Sequence, residues 1–124
     1  MNMKQTQMKK YGDVVAANLF IAAKLDELGV ASNYIGYYYL IDIFEITING
    51  QREVKSYSRE IFPIVSQRFD KTTCTVERNI RVLINKCWNM EMSKKLKYFY
   101  NENIKPTCCQ FIALIKSYIL SYLM

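Results

Sequence analysis

Residues 70–90 carry the pattern that most restricts what this chain can fold into. Val76, Ile80, Leu83, Ile84 and Cys87 recur at intervals of three and four, which places them on one stripe of an α-helix that must face a core. Thr75, Arg78, Arg81 (with Val82 beside it) and Asn85 recur in the same rhythm on the other side. Just ahead, Ile61, Phe62, Ile64 and Val65 mark another helix, opened by Ser56 or Ser58 and running towards Phe69. Pro63 should bend that helix or mark its effective first turn. Only Asp70-Lys71-Thr72-Thr73 separates the two, with Thr72 or Thr73 as the cap of the second, which spans Cys74 to about Met90. Two helices joined by so short a polar turn make a helix-turn-helix.

The remaining segments also read as helices. Asp13 can cap a helix running to Leu28, with Val15, Leu19, Ala22, Leu25 and Leu28 at helical spacing and Gly29 as its stop. A second spans about Tyr34 to Ile48, offering Tyr37, Leu40, Ile43 and Phe44 to the core and ending at Asn49-Gly50. Its Tyr, Ile and Thr content also suits a β-strand, but the length and apolar spacing favour helix. A short fifth helix is expected at Ser93 to Tyr100, and the T-x-x-Q capping box Thr107-Cys108-Cys109-Gln110 opens a last one to about Leu123. The expectation is an all-α, six-helix domain over residues 14–124 whose third and fourth helices form the helix-turn-helix, behind a basic, flexible tail over residues 1–13.

The 124 residues are 51% hydrophobic, enough for one domain with a real core. Histidine is absent, which removes triads, metal sites and proton shuttles built on imidazole. No glycine-rich phosphate loop and no carboxylate pair on a catalytic motif is present, so no enzyme, cofactor, metal or small-molecule substrate is expected. Cys74, Cys87, Cys108 and Cys109 form no C-x-x-C pair. Cys108, at a helix start, could have a lowered thiol pKa, although a partly buried structural cysteine is the commoner case. The N-terminus lacks the apolar core of a signal peptide, and Phe111 to Met124 is too short and too interrupted to span a bilayer. A cytoplasmic, nucleoid-associated protein with no membrane contact is expected.

The net charge of +6 is unevenly spread: residues 14–50 carry a net of −3 and residues 51–124 a net of +7. A basic C-terminal half suits a polyanion or, more plainly, a solvated basic surface. An α-helix of about 10–12 Å diameter fits the major groove of B-DNA, roughly 12 Å wide. Arg78 and Arg81 could pair bidentately with guanine there, and Glu77 could accept from a cytosine amino group or steady the two arginines. Lys71, Thr72 and Thr73, with Arg68 just before the turn, are placed where phosphates pass. The same outer face would also be ordinary for a helix that merely meets water, and helix-turn-helix geometry occurs in proteins that bind no DNA.

At this point the residues resemble a family. Glu27-Leu28-Gly29-Val30, Gly36-Tyr37-Tyr38-Tyr39-Leu40, Ile61-Phe62-Pro63, Val76-Glu77-Arg78-Asn79-Ile80-Arg81, Trp88, Lys105-Pro106-Thr107 and Phe111-Ile112-Ala113 follow one another in the order and spacing of that family. Together they are similar to the C-terminal effector domain of the master sporulation response regulator of endospore-forming bacteria, over about residues 14 to 120. The resemblance implies a six-helix, double-stranded-DNA-binding transcriptional regulator whose fourth helix enters the major groove of a short box like TGTCGAA, often with two domains in tandem. It places base reading on Glu77, Arg78 and Arg81, with Thr75 and Asn85 on the same face, and phosphate contacts at Lys71 and Thr72. Thr75 and Val82 depart from the motif, which usually has arginine and histidine there. The partners implied are DNA, RNA polymerase and a second copy. The family's phosphoacceptor receiver domain has no counterpart in the residues before the first helix, so the chain is expected to carry DNA binding without phosphorylation control, either as a piece of a longer protein or, the favoured reading, as a natural short chain.

One alternative belongs to a different class. Ile112, Ile119 and Leu123 lie on another side of the last helix from Phe111, Leu114, Ile115 and Tyr118. An apolar surface all round implies burial on two sides, either inside one chain or in a dimer. In the latter case, which the departures at Thr75 and Val82 also motivate, the domain would be a protein-protein interaction module that kept the fold and lost specific DNA reading.

Overall fold

A computed structural model describes residues 9–88 and 105–123. They fold into α1 (Tyr11–Ala17), α2 (Leu19–Glu27), α3 (Ile35–Phe44), α4 (Phe62–Arg68), α5 (Thr73–Trp88) and α6 (Cys108–Ser121), with no strand among the described residues. Single π-helical turns extend α3 through Glu45–Asn49 and precede α4 at Tyr57–Ile61. The domain is all-α, and the strand reading of 34–48 is excluded. The short helix expected at 93–100 lies outside the described residues.

The first expected helix is two. Asn18, with φ −135° and ψ 51°, interrupts it, and its side chain explains why. Nδ2 donates to the Val14 carbonyl at 2.9 Å and to Glu45 Oε1 at 3.3 Å, while Oδ1 accepts from Asn49 Nδ2 at 3.0 Å. Leu19, expected in the core, is therefore 68% exposed, and Val14, Ile21, Ala22, Leu25 and Leu28 are buried. The start also differs. α1 begins two residues before Asp13, with Lys10 in the cap position and no side-chain cap. Lys9 and Tyr11, grouped above with the tail, are packed: the Lys9 amide donates to the Arg68 carbonyl at 2.8 Å and Tyr11 stacks on Phe69. Gly29, at φ 79°, closes α2 as expected, with Val30 N–H reaching Leu25 O and Gly29 N–H reaching Asp26 O.

Helix α3 is the axle of the fold. Gly36, Tyr37, Tyr39, Leu40, Ile41, Asp42, Ile43 and Phe44 are all buried, so it is covered on every side. It packs against α1, α2, α4 and α5. The Tyr37 hydroxyl donates to Asp26 Oδ1 at 3.0 Å, and the Tyr39 hydroxyl meets that of Tyr11 at 3.1 Å.

One charge on this helix is wholly enclosed. Asp42 has no exposed side-chain surface, and Lys9 Nζ and Arg68 Nη1 donate to its Oδ1 at 2.9 and 2.8 Å. Both cations also reach Glu45. Burial pushes the Asp42 carboxyl above its ordinary value although Lys9 and Arg68 pull it down. At Glu45 burial acts the same way, but hydrogen bonds from Lys9 and Asn18 win and hold it low. Arg68→Ala would leave the enclosed carboxylate with Lys9 alone. Removing one partner of a buried pair costs about 3–5 kcal/mol; with Lys9 retained we expect a loss of about 2–3 kcal/mol in urea unfolding at neutral pH. A loss below about 0.5 kcal/mol would show that Lys9 suffices or that the site hydrates freely.

Candidate nucleic-acid interface

The Ser56 hydroxyl accepts from Arg59 N–H at 3.3 Å and Glu60 Oε2 accepts from Ser56 N–H at 2.7 Å, so Ser56 rather than Ser58 opens the segment leading to α4. Pro63 sits in the first turn of α4, where its missing N–H leaves no hydrogen bond unmade. Asp70, at φ 56°, then takes the left-handed conformation, and Lys71 N–H closes onto Ser66 O at 2.8 Å. This Schellman closure makes the turn tight. Thr72 caps α5: its hydroxyl accepts from Thr75 N–H at 3.1 Å and lies 2.9 Å from the Thr75 hydroxyl.

Helix α5 divides as its spacing predicts. Val76, Ile80, Leu83, Ile84 and Cys87 are buried, which fixes the helix against α3 and α4. The approach to α3 is close. A Cβ built on Gly36 would lie 2.5 Å from Asn79 O and 3.2 Å from Ile80 Cα.

The outer face gathers most of the residues singled out by sequence. Arg78, Arg81 and Asn85 are exposed, and Thr75 and Glu77 are half-buried. Arg78 has no carboxylate partner among the described residues, whereas Arg81 is paired with Glu77 one turn earlier. Glu77 thus steadies Arg81 only. Lys71 and Thr72 are exposed at the start of α5, and Thr73 is half-buried, its hydroxyl 3.5 Å from that of Ser66. Arg68, expected to contact phosphate, has its Nη1 engaged by the carboxylates of Asp42 and Glu45.

The structure adds Lys105, which sequence spacing did not single out. Its Nζ donates to Asn85 Oδ1 across 20 residues, a contact no local pattern announces. Lys105, Arg81 and Asn85 edge an open groove of about 450 Å³ between α5 and the start of α6. The capping box that starts α6 is formed as expected, with Thr107 Oγ1 accepting from Gln110 N–H and Gln110 Oε1 accepting from Thr107 N–H. The Cys108 thiol is raised rather than lowered: burial, then the neighbouring Cys109 and Glu77, push its pKa up to about 12 despite Arg81.

No group of His, Cys, Asp and Glu able to hold a metal is found among the described residues, and none of their helices is long and apolar enough to cross a membrane. Phe111, Ile112, Ile115 and Ile119 of α6 are all buried within the single chain; of the side expected to face a second copy, only Leu123 is exposed. Residues 21–119 match a protein-family model described as sporulation initiation factor Spo0A C terminal.

Proposed function

Because the chain belongs to the sporulation initiation factor Spo0A C-terminal family, a family of DNA-binding domains from bacterial response regulators and not of enzymes, we propose that α5 is its reading helix. In this reading α5 enters the major groove of a short box like TGTCGAA. Arg78 and Arg81 donate to guanine edges, Glu77 accepts from a cytosine amino group, and Thr75 and Asn85 flank them. Lys71, Thr72 and Thr73 hold phosphates at the helix start. The observation that carries this is the division of α5: a stripe buried against α3 and α4 fixes the helix, and the opposite face presents Arg78 with no partner inside the described protein. A second copy in tandem on adjacent boxes, and RNA polymerase, are the protein partners this reading calls for in a nucleoid-associated regulator.

The second reading, an interaction module without DNA reading, keeps Thr75 and Val82 as its motives, while Ile112 and Ile119 are covered inside one chain. Fluorescence anisotropy on a duplex carrying TGTCGAA, beside a scrambled duplex at two salt concentrations, tests the proposal. The expected preference for the box is about 100-fold, or roughly 2.7 kcal/mol. Six neutralised phosphates would give a log–log salt slope of about −5. Equal, salt-sensitive binding to both duplexes, or binding to neither, would overturn specific reading of this box.

A further inference from the structure

The outer face of α5 carries one apolar side chain that stands outside the core. Val82 is 40% exposed and belongs neither to the buried cluster nor to the partly buried hydrophobics packed against it. It follows Arg78 by four residues and precedes Asn85 by three, so it stands between them on the face turned away from the buried stripe. Its neighbours there are polar, and a β-branched residue is a weaker helix former than the lysine, glutamine or alanine that a merely solvated position would favour. Among the described residues nothing apolar covers it, and an apolar contact would remove its methyl groups from water. On a helix seated in the major groove, the apolar feature available is the C5-methyl group of a pyrimidine.

We infer that Val82 packs against a pyrimidine C5-methyl group, that of thymine in unmodified DNA, and so selects thymine beside the base read by Arg78. This rests on α5 being the reading helix. Four residues of helix rise about 6 Å, and base pairs stack about 3.4 Å apart, so the thymine lies within two steps of Arg78's base. The contact requires no group beyond those on α5 and disfavours cytosine, which offers only a C5 hydrogen at the same place.

Binding of the full chain to the TGTCGAA duplex would be compared with duplexes in which each thymine, one at a time, is replaced by uracil, for the wild type, Val82→Ala and Arg78→Ala. Uracil differs from thymine only by the methyl group. One position should weaken wild-type binding about fourfold, the weight of one buried methyl. Val82→Ala should bind the thymine duplex about fourfold more weakly and be indifferent to uracil at that same position. A matching set with 5-methylcytosine in place of cytosine separates the two sources of the methyl. A gain there in the wild type alone, without a uracil effect, overturns the assignment to thymine. Uracil effects that persist unchanged in Val82→Ala, or no uracil effect at any position, overturn the contact itself. If box preference is absent and Arg78→Ala costs nothing, the placement of α5 fails and this inference fails with it. A uracil-insensitive box that still depends on Arg78 sinks only the Val82 contact.

Discussion

Gly36→Ala is expected to destabilise the domain by about 2–3 kcal/mol, lowering its thermal midpoint by about 8–12 °C. The added methyl would meet Asn79 O at 2.5 Å, Asn79 C at 3.0 Å and Ile80 Cα at 3.2 Å. All three are backbone atoms of α5, so no rotamer change relieves the overlap, and α3 and α5 must move apart. Alanine is the better helix former by about 1 kcal/mol, but a contact below 3 Å against fixed backbone outweighs that gain. The same substitution at Gly12 isolates the propensity effect, because nothing lies within 4 Å of the position its Cβ would take in α1. Gly12→Ala should raise stability by up to about 1 kcal/mol. Melting followed by circular dichroism checks both, and an unchanged or higher midpoint for Gly36→Ala would show that the two helices part without strain.

Arg78→Ala is expected to cost about 1–3 kcal/mol on the preferred duplex and little on a scrambled one, with the salt slope unchanged. Its guanidinium is exposed and unpaired among the described residues, so it meets the base without first leaving a partner. Arg81→Ala should also cost about 1–3 kcal/mol on the preferred site. Arg81, however, begins from an exposed pair with Glu77, worth only about 0.3–0.5 kcal/mol. That pair is too weak to withhold the arginine from DNA but strong enough to aim it. Equal losses on both duplexes, with the slope falling by about one, would show that the arginine concerned touches phosphate rather than a base.

The helix-turn-helix was legible because both of its signals are local. The stripe from Val76 to Cys87 repeats within one helix, and Thr107 with Gln110 forms a capping box over four residues. The break at Asn18 was hidden for a physical reason. A polar residue holds a core position of the stripe Val14, Asn18, Ile21, Leu25 and Leu28, so apolar spacing alone moved the stripe onto Val15 and Leu19. Asn18 is stable there only because Glu45 and Asn49 complete its hydrogen bonds, and both are distant in sequence. The internal contacts of Arg68 were hidden in the same way. Beside a polar turn it looks like a phosphate contact, and only the fold brings it to Asp42 and Glu45, 26 and 23 residues away. At the candidate interface the face of α5 could be read from spacing, whereas the contact of Lys105 with Asn85 needed the chain to return from 20 residues on.

The enclosure of α3 on all sides has a consequence for the chain before it folds. Ile35-Gly36-Tyr37-Tyr38-Tyr39-Leu40-Ile41-Asp42-Ile43-Phe44 contains one charge, no proline and a run of aromatic and β-branched residues, the composition of a segment that self-associates as strands when left uncovered. Native packing hides most of it, all but Ile35 and part of Tyr38, beneath α5 and the N-terminal helices, and Asp42, whose charge is matched only in the folded state, interrupts the run as a gatekeeper. Weakening the seat of α5 therefore threatens solubility as well as stability, because the surface released by opening is the one most prone to aggregate.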